Sequence, residues 1–195
     1  MNNPAHRKLI ILDLEATCDD NNTFPRNEME TIEIGAKILD IDHGFTILSA
    51  FSLFIKPNRN PVLTDFCKEL TGISQEQVNA AGGFVSAFNQ FKKWTGEFEN
   101  IVAWGSWGRY DQNQLKRDCK YFEIENFLSP IQHLDISNLY CETMDTTTRN
   151  LYKAVHDQKL LCVGNQHRAL DDASNVILVI QNSRKLKETI LNQVQ

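Results

Sequence analysis

Leu9-Ile10-Ile11-Leu12-Asp13-Leu14-Glu15-Ala16-Thr17 is an aliphatic run broken by two acids. The apolar part, residues 9–14, is short enough for a buried strand. Side chains alternate across a strand, so Ile11, Asp13 and Glu15 share one face and Ile10, Leu12 and Leu14 the other. Two carboxylates thus project side by side from the end of a core strand. Like charges that close repel, and burying them is costly unless a cation or a proton compensates. Mg²⁺ or Mn²⁺ would serve, because hard divalent ions prefer carboxylate oxygens. On these two residues alone, a strand that simply ends in two solvated acids is an equally good reading.

Outward from this run, residues 31–39 and 46–55 read as two further strands, with Asp42-His43-Gly44 as their hairpin connection. Residues 19–28 have loop composition, and Lys56–Pro61 is expected to be an exposed loop. A short helix over 64–71 should stop at Gly72, and Ser74 with Gln77 forms a capping box for another turn. Phe84, Phe88, Phe91 and Trp94 recur at helical spacing and mark a core-facing stripe. Residues 100–104 predict a short strand; 111–120, 135–142, 148–157 and 168–182 predict helices. Three strands in a meander, then strands mixed with helices, predict an α/β architecture with a mixed central sheet flanked by helices. No repeat or linker interrupts it, so one domain is expected over 1–195, with its core at about 8–182.

Composition narrows the function classes. No apolar run approaches the roughly 18 residues of a membrane span. The first strand follows residues 1–8 directly, so no signal peptide is expected ahead of it. Five cysteines, odd in number and without a Cys-x-x-Cys pair, predict reduced thiols and a cytoplasmic protein. The net charge of −5 argues against gripping long duplex nucleic acid through many phosphates. It leaves room for a short single strand at a metal site, where bound ions offset the acids.

Further candidate ligands come from the helices. The apolar stripe of the last predicted helix is Ala169, Ala173, Val176, Ile177 and Ile180, and Asp172 falls within it. Asp171 shares a mostly polar face and reads as a solvated acid near the helix start. His167 precedes the helix; it is either a surface residue or, near metal ions, a base, since imidazole's unperturbed pKa of roughly 6.5 lies near working pH. Asp111 opens the helix after Ser106-Trp107-Gly108-Arg109-Tyr110 and shares a face with Leu115, Cys119 and Phe122. The plainer role for such an Asp is an N-cap. Asp118 reads as a solvated helix acid.

Taken together, Asp13-x-Glu15, Asp111 and His167-x-x-x-x-Asp172 resemble the DEDDh exonuclease pattern of the DnaQ-like superfamily, on a ribonuclease-H-like fold. Within it, residues 13–18, 63–74 and 167–172 are similar to the enhanced-RNAi branch, which includes the histone-mRNA 3′-end exonuclease and its bacterial relatives. Ser106-Trp107-Gly108-x-Tyr110-Asp111 resembles the shorter, stand-alone members, and the additional nucleic-acid-binding domain of the eukaryotic RNA-processing members is not expected here.

The resemblance implies a 3′-to-5′ exonuclease acting on single-stranded nucleic acid 3′ ends, RNA favoured, and releasing nucleoside 5′-monophosphates. It implies two Mg²⁺ or Mn²⁺ ions about 3.5–4 Å apart, bridged by Asp13, with Glu15 and Asp172 at one, Asp111 at the other, and His167 as general base. The terminal hydroxyl should lie by Glu15, Ala16 and Thr17, with Trp107 and His167 also near the nucleotide. Phe66, Leu70 and Tyr110 join Trp107 as candidate base-packing surfaces. Arg109 and Arg168 are candidate guides for the phosphate backbone; Lys116, Arg117 and Lys120 read as solvated charges. No membrane or protein partner is implied. The competing readings are a DNA exonuclease of proofreading type and a non-catalytic nucleic-acid-binding module.

Overall fold

A computed structural model describes residues 6–21 and 24–194. Its strands are β1 (Lys8–Ala16), β2 (Thr31–Asp40), β3 (Thr46–Phe54), β4 (Ile101–Ser106) and β5 (Gln132–Asp135). The helices are α1 (Asp65–Thr71), α2 (Gln75–Ala80), α3 (Phe84–Thr95), α4 (Tyr110–Tyr121), α5 (Ile136–Met144), α6 (Leu151–Asp157), α7 (Ala169–Asn182) and α8 (Arg184–Gln193). The sheet order is β3-β2-β1-β4-β5. β1, β2 and β3 pair antiparallel, whereas β4 joins β1, and β5 joins β4, in parallel. The sheet is therefore mixed, as expected.

β1 is covered on both faces, which explains its near-continuous apolar run. Leu9 and Ile11 pack with Ala173, Val176, Ile177 and Ile180 of α7 and with residues of α5 and α6. Ile10, Leu12 and Leu14 pack with Phe84, Phe88 and Phe91 of α3 and with Leu115 and Cys119 of α4. The aromatic stripe is core. Thr64 caps α1 and Gly72 ends it in the left-handed region (φ 66°). The Ser74–Gln77 capping box forms as its spacing predicts.

One close approach sets the position of α7. Gly35 lies opposite Asp13 in the β1–β2 register. A Cβ built on Gly35 would sit 2.2 Å from the Ala169 carbonyl carbon and the Leu170 nitrogen. Only glycine lets the α7 N-terminus rest directly on β2.

Four expectations need correction. Asp118 is fully buried, accepting hydrogen bonds from Thr31 N and Oγ1, Gln114 Nε2 and Arg59. Burial pushes its carboxyl above the usual range against the pull of those donors. The Lys56–Pro61 loop is only in part exposed, at Lys56, Asn58 and Pro61; Pro57 is buried, and the buried Glu30 carboxylate pins the loop by accepting from the backbone N–H groups of Asn58 (2.9 Å), Arg59 (2.6 Å) and Asn60 (2.8 Å). The predicted helix from 135 begins at Ile136, and Asp135 instead ends the four-residue β5 and caps α5 through Asn138 N. The chain continues in α8 beyond 182; Ser183 caps it and Leu186 and Ile190 bury against the α7 side of the sheet.

Candidate active site

The site forms where the parallel strands end, the usual position for chemistry in such sheets. β1 outruns β4: their pairing stops at Ile11 and Gly105. Beyond that point β4 offers Leu14 no partner, and the Asp111 carboxylate accepts the Leu14 N–H at 3.0 Å. Asp111 is the second residue of α4 and is buried; Arg109 is the N-cap, so Asp111 does not serve as one. Its carboxylate meets β1 between Asp13 and Glu15.

Asp172 arrives from α7. It is buried, and the Tyr152 hydroxyl donates to its Oδ1. His167 N–H donates to the Tyr152 hydroxyl oxygen (3.2 Å) and to Asp172 Oδ2 (3.3 Å). His167 itself holds a left-handed backbone (φ 59°), uncommon outside glycine. Ligand atoms of Glu15, His167 and Asp172 all lie within 4.8 Å of one another.

The α7 start is clamped from behind. Arg168 makes two bonds to the buried Glu33 carboxylate (3.0 and 3.1 Å), which also accepts the Ala169 N–H at 3.1 Å. Arg168 is therefore an internal ion pair, not the free backbone guide expected of it. Arg109 is exposed, with Asp135 3.7 Å away. Asp171 is half-buried and accepts the Asn165 N–H.

All four carboxyls are held above their usual range. Asp13 is raised by burial, then by Asp111, Glu15 and Asp172. Glu15 is pushed up to about 9, by burial and then by Asp172, Glu33 and Asp111. Asp111 rises to about 7, where burial outweighs the hydrogen bonds from its own backbone, Leu14 and Ser106. Burial raises Asp172 against the Tyr152 hydroxyl and His167. Among the described residues, no lysine or arginine pairs with any of the four. An all-oxygen donor set with uncompensated charge fits divalent metal ions.

A cavity of about 300 Å³ opens over these groups. Asp13, Glu15, Asp111 and His167 line it, with Ala16, Cys18, Met29, Leu70, Trp107, Tyr110 and Leu151 as walls. Phe66 lines an adjoining depression beside Tyr110. Thr17 faces away: its N–H donates to Glu30 O and its hydroxyl accepts from Glu30 N. Sequence reading missed Tyr152 and Glu33. Glu33 pairs with Glu15 across β1–β2; an acid among Ile32, Ile34 and Ala36 on the strand beside the first was the available signal.

Residues 10–180 match the family described as Exonuclease (RNase T). The probable 3′-5′ exonuclease KapD of Bacillus subtilis is 30% identical over 167 residues, covering 85% of this chain and 78% of that protein. ERI1 exoribonuclease 2 of Xenopus laevis is 26% identical over 187 residues, covering 86% of this chain. The chain spans only 27% of that relative's length. The solved nuclease domain of 3′hExo, a DEDDh family member bound to rAMP, superposes with a TM-score of 0.83 at 22% identity, covering 98% of this chain and 96% of that one. This likeness shows the ribonuclease-H-like fold. With the match covering most of its length, the chain belongs to the exonuclease family.

Proposed function

We propose that this protein removes nucleotides one at a time from the free 3′ end of single-stranded RNA, releasing nucleoside 5′-monophosphates. The observation that carries the reading is the convergence of Asp13, Glu15 and Asp111 with His167 at one cavity, and of Asp172 beside Glu15 and His167, all four carboxyls held above the usual range. Family membership and relatives named as exoribonucleases support it.

The four acids would hold two Mg²⁺ or Mn²⁺ ions. When bound, such ions polarise the scissile phosphate and offset the charge that develops on the entering and leaving oxygens. His167 takes the proton of the attacking water, its imidazole held beside Glu15 and Asp172. Tyr152 fixes Asp172 through the hydroxyl hydrogen bond, and Leu14 N–H fixes Asp111. The terminal 3′-hydroxyl rests against Glu15 and Ala16, where an internal nucleotide, its 3′ oxygen tied up in a phosphodiester, has no free 3′-hydroxyl to offer. Leu70, Trp107 and Tyr110 form the wall for the last base; the Trp107 indole N–H is committed to Arg149 O, which leaves the ring for packing.

The test is degradation of 5′-labelled single-stranded RNA with Mg²⁺ or Mn²⁺, beside matched DNA and an RNA blocked by a 3′-phosphate. The expected product is a ladder shortening by single nucleotides, with the blocked RNA resistant. Internal fragments would refute exonucleolytic action, and preference for DNA would refute the RNA substrate.

A further inference from the structure

At the opposite end of β1 and β2 from the acids, two imidazoles converge on one carboxylate oxygen. His6 Nδ1 and His43 Nδ1 each lie 3.0 Å from Asp40 Oδ2. The two ring centroids are 4.2 Å apart, and ligand atoms of the three residues lie within 4.8 Å of one another. The other oxygen of Asp40 is already fixed, accepting from the Asp42 (3.1 Å) and His43 (3.0 Å) backbone N–H groups. Arg7 does not compete for Asp40, since its guanidinium makes two bonds to Asp42 Oδ1 and its backbone N–H a third to Oδ2. Lys8 is held on the carbonyls of His6 and Glu99.

We propose that His6, Asp40 and His43 form a binding site for a borderline divalent transition metal of the Zn²⁺ class. Ligand atoms about 2.0–2.1 Å from one ion stand about 2.9–3.4 Å apart, from octahedral to tetrahedral angles. Both His–Asp separations match that spacing. Two imidazoles and a carboxylate suit Zn²⁺, Ni²⁺ or Co²⁺, whereas Mg²⁺ favours the all-oxygen cage. His6 and His43 are 40% and 62% exposed, so solvent ions reach them, while Asp40 is held within the fold. Lys8 pairs with Asp40 and Asp13 with Gly35, five residues along the strand. That puts the sites roughly 17 Å apart, too far to share an ion. The bound metal would staple the segment entering β1 to the β2–β3 turn.

The experiment titrates Zn²⁺, and separately Co²⁺, into the full chain under saturating Mg²⁺. Binding is read by calorimetry and cobalt absorption, and stability by thermal melting. Wild-type protein should gain a metal equivalent that His43→Ala lacks, and its melting temperature should rise with Zn²⁺ where the variant's does not. His6→Gln should bind roughly tenfold or more weakly. Asp13→Ala, which damages the acid cage, should keep the histidine-dependent equivalent and its cobalt spectrum. Exonuclease activity in Mg²⁺ alone should be the same in His43→Ala and wild type. Equal stoichiometry and equal melting shift in wild type and His43→Ala would overturn the proposal, leaving both imidazoles as hydrogen-bond partners of Asp40.

Discussion

Replacing Gly35 by alanine tests whether the seat of α7 on β2 sets the active site. The added methyl would stand 2.2 Å from the Ala169 carbonyl carbon and the Leu170 nitrogen, where ordinary contact begins at 3.4 Å. Both opposing atoms are backbone, so no side chain can swing aside. The helix start must move by more than 1 Å or the strand must bow. Overpacking of this kind costs about 1–3 kcal/mol, which for a chain of this size lowers the melting temperature by roughly 3–10 °C. Asp172 follows Leu170 by two residues and His167 precedes Ala169 by two. A displacement of about 1 Å at a reacting group costs on the order of 10²-fold in rate. Melting by calorimetry, single-turnover RNA hydrolysis and Mn²⁺ binding together give the answer. Gly82→Ala is the control, since its Cβ would meet only Ser86 at ordinary distance. Melting within a degree of wild type and a rate within about twofold would refute the argument that this approach holds the acids together.

Four further outcomes are expected. Metal-free protein should lose stability as pH rises: Glu15 and Asp111 are pushed up to about 9 and 7, so the folded state binds more protons than the unfolded chain from about pH 4 upward. The contribution is fully present below the unfolded pKa and lost through pH 7–9, and the melting gain on adding Mn²⁺ should be larger at pH 9 than at pH 6. Tyr152→Phe removes the hydroxyl that orients Asp172 and should lower activity or metal affinity roughly 10- to 100-fold with the fold intact by circular dichroism. Arg168→Ala strands the buried Glu33 and should cost about 3–5 kcal/mol in denaturant unfolding, while the salt dependence of RNA binding stays unchanged; a flatter salt slope would restore Arg168 as a phosphate contact. His167→Ala should lower the single-turnover rate about 10²- to 10⁴-fold with Mn²⁺ binding kept.

Much of this was legible because it is written in local periods. Alternation along β1 put Asp13 and Glu15 on the face of Ile11, and the stripe of α7 drew Asp172 inward. The phenylalanine repeat announced a core helix for the same reason. What stayed hidden depends on partners far along the chain. Asp118 meets Thr31 and Arg59, 87 and 59 residues away, so nothing in the sequence around it announces those partners. Arg168 meets Glu33 across 135 residues, and a cation beside a catalytic motif is easily read as a substrate contact. Tyr152 reaches Asp172 only because α6 folds against α7. The helix α8 buries only Leu186 and Ile190 within its bounds, too few for a stripe to show.

The bond from Ala169 N–H to Glu33 has a consequence for synthesis. It closes a span of 136 residues, and the bond from Leu14 N–H to Asp111 closes one of 97. Asp13 and Glu15 are made long before Asp111 and Asp172. No nascent fragment shorter than about α7 holds the complete acid set, and closing such long spans is entropically slow. The site can therefore assemble only after α7 has been made, however early β1 and β2 have paired.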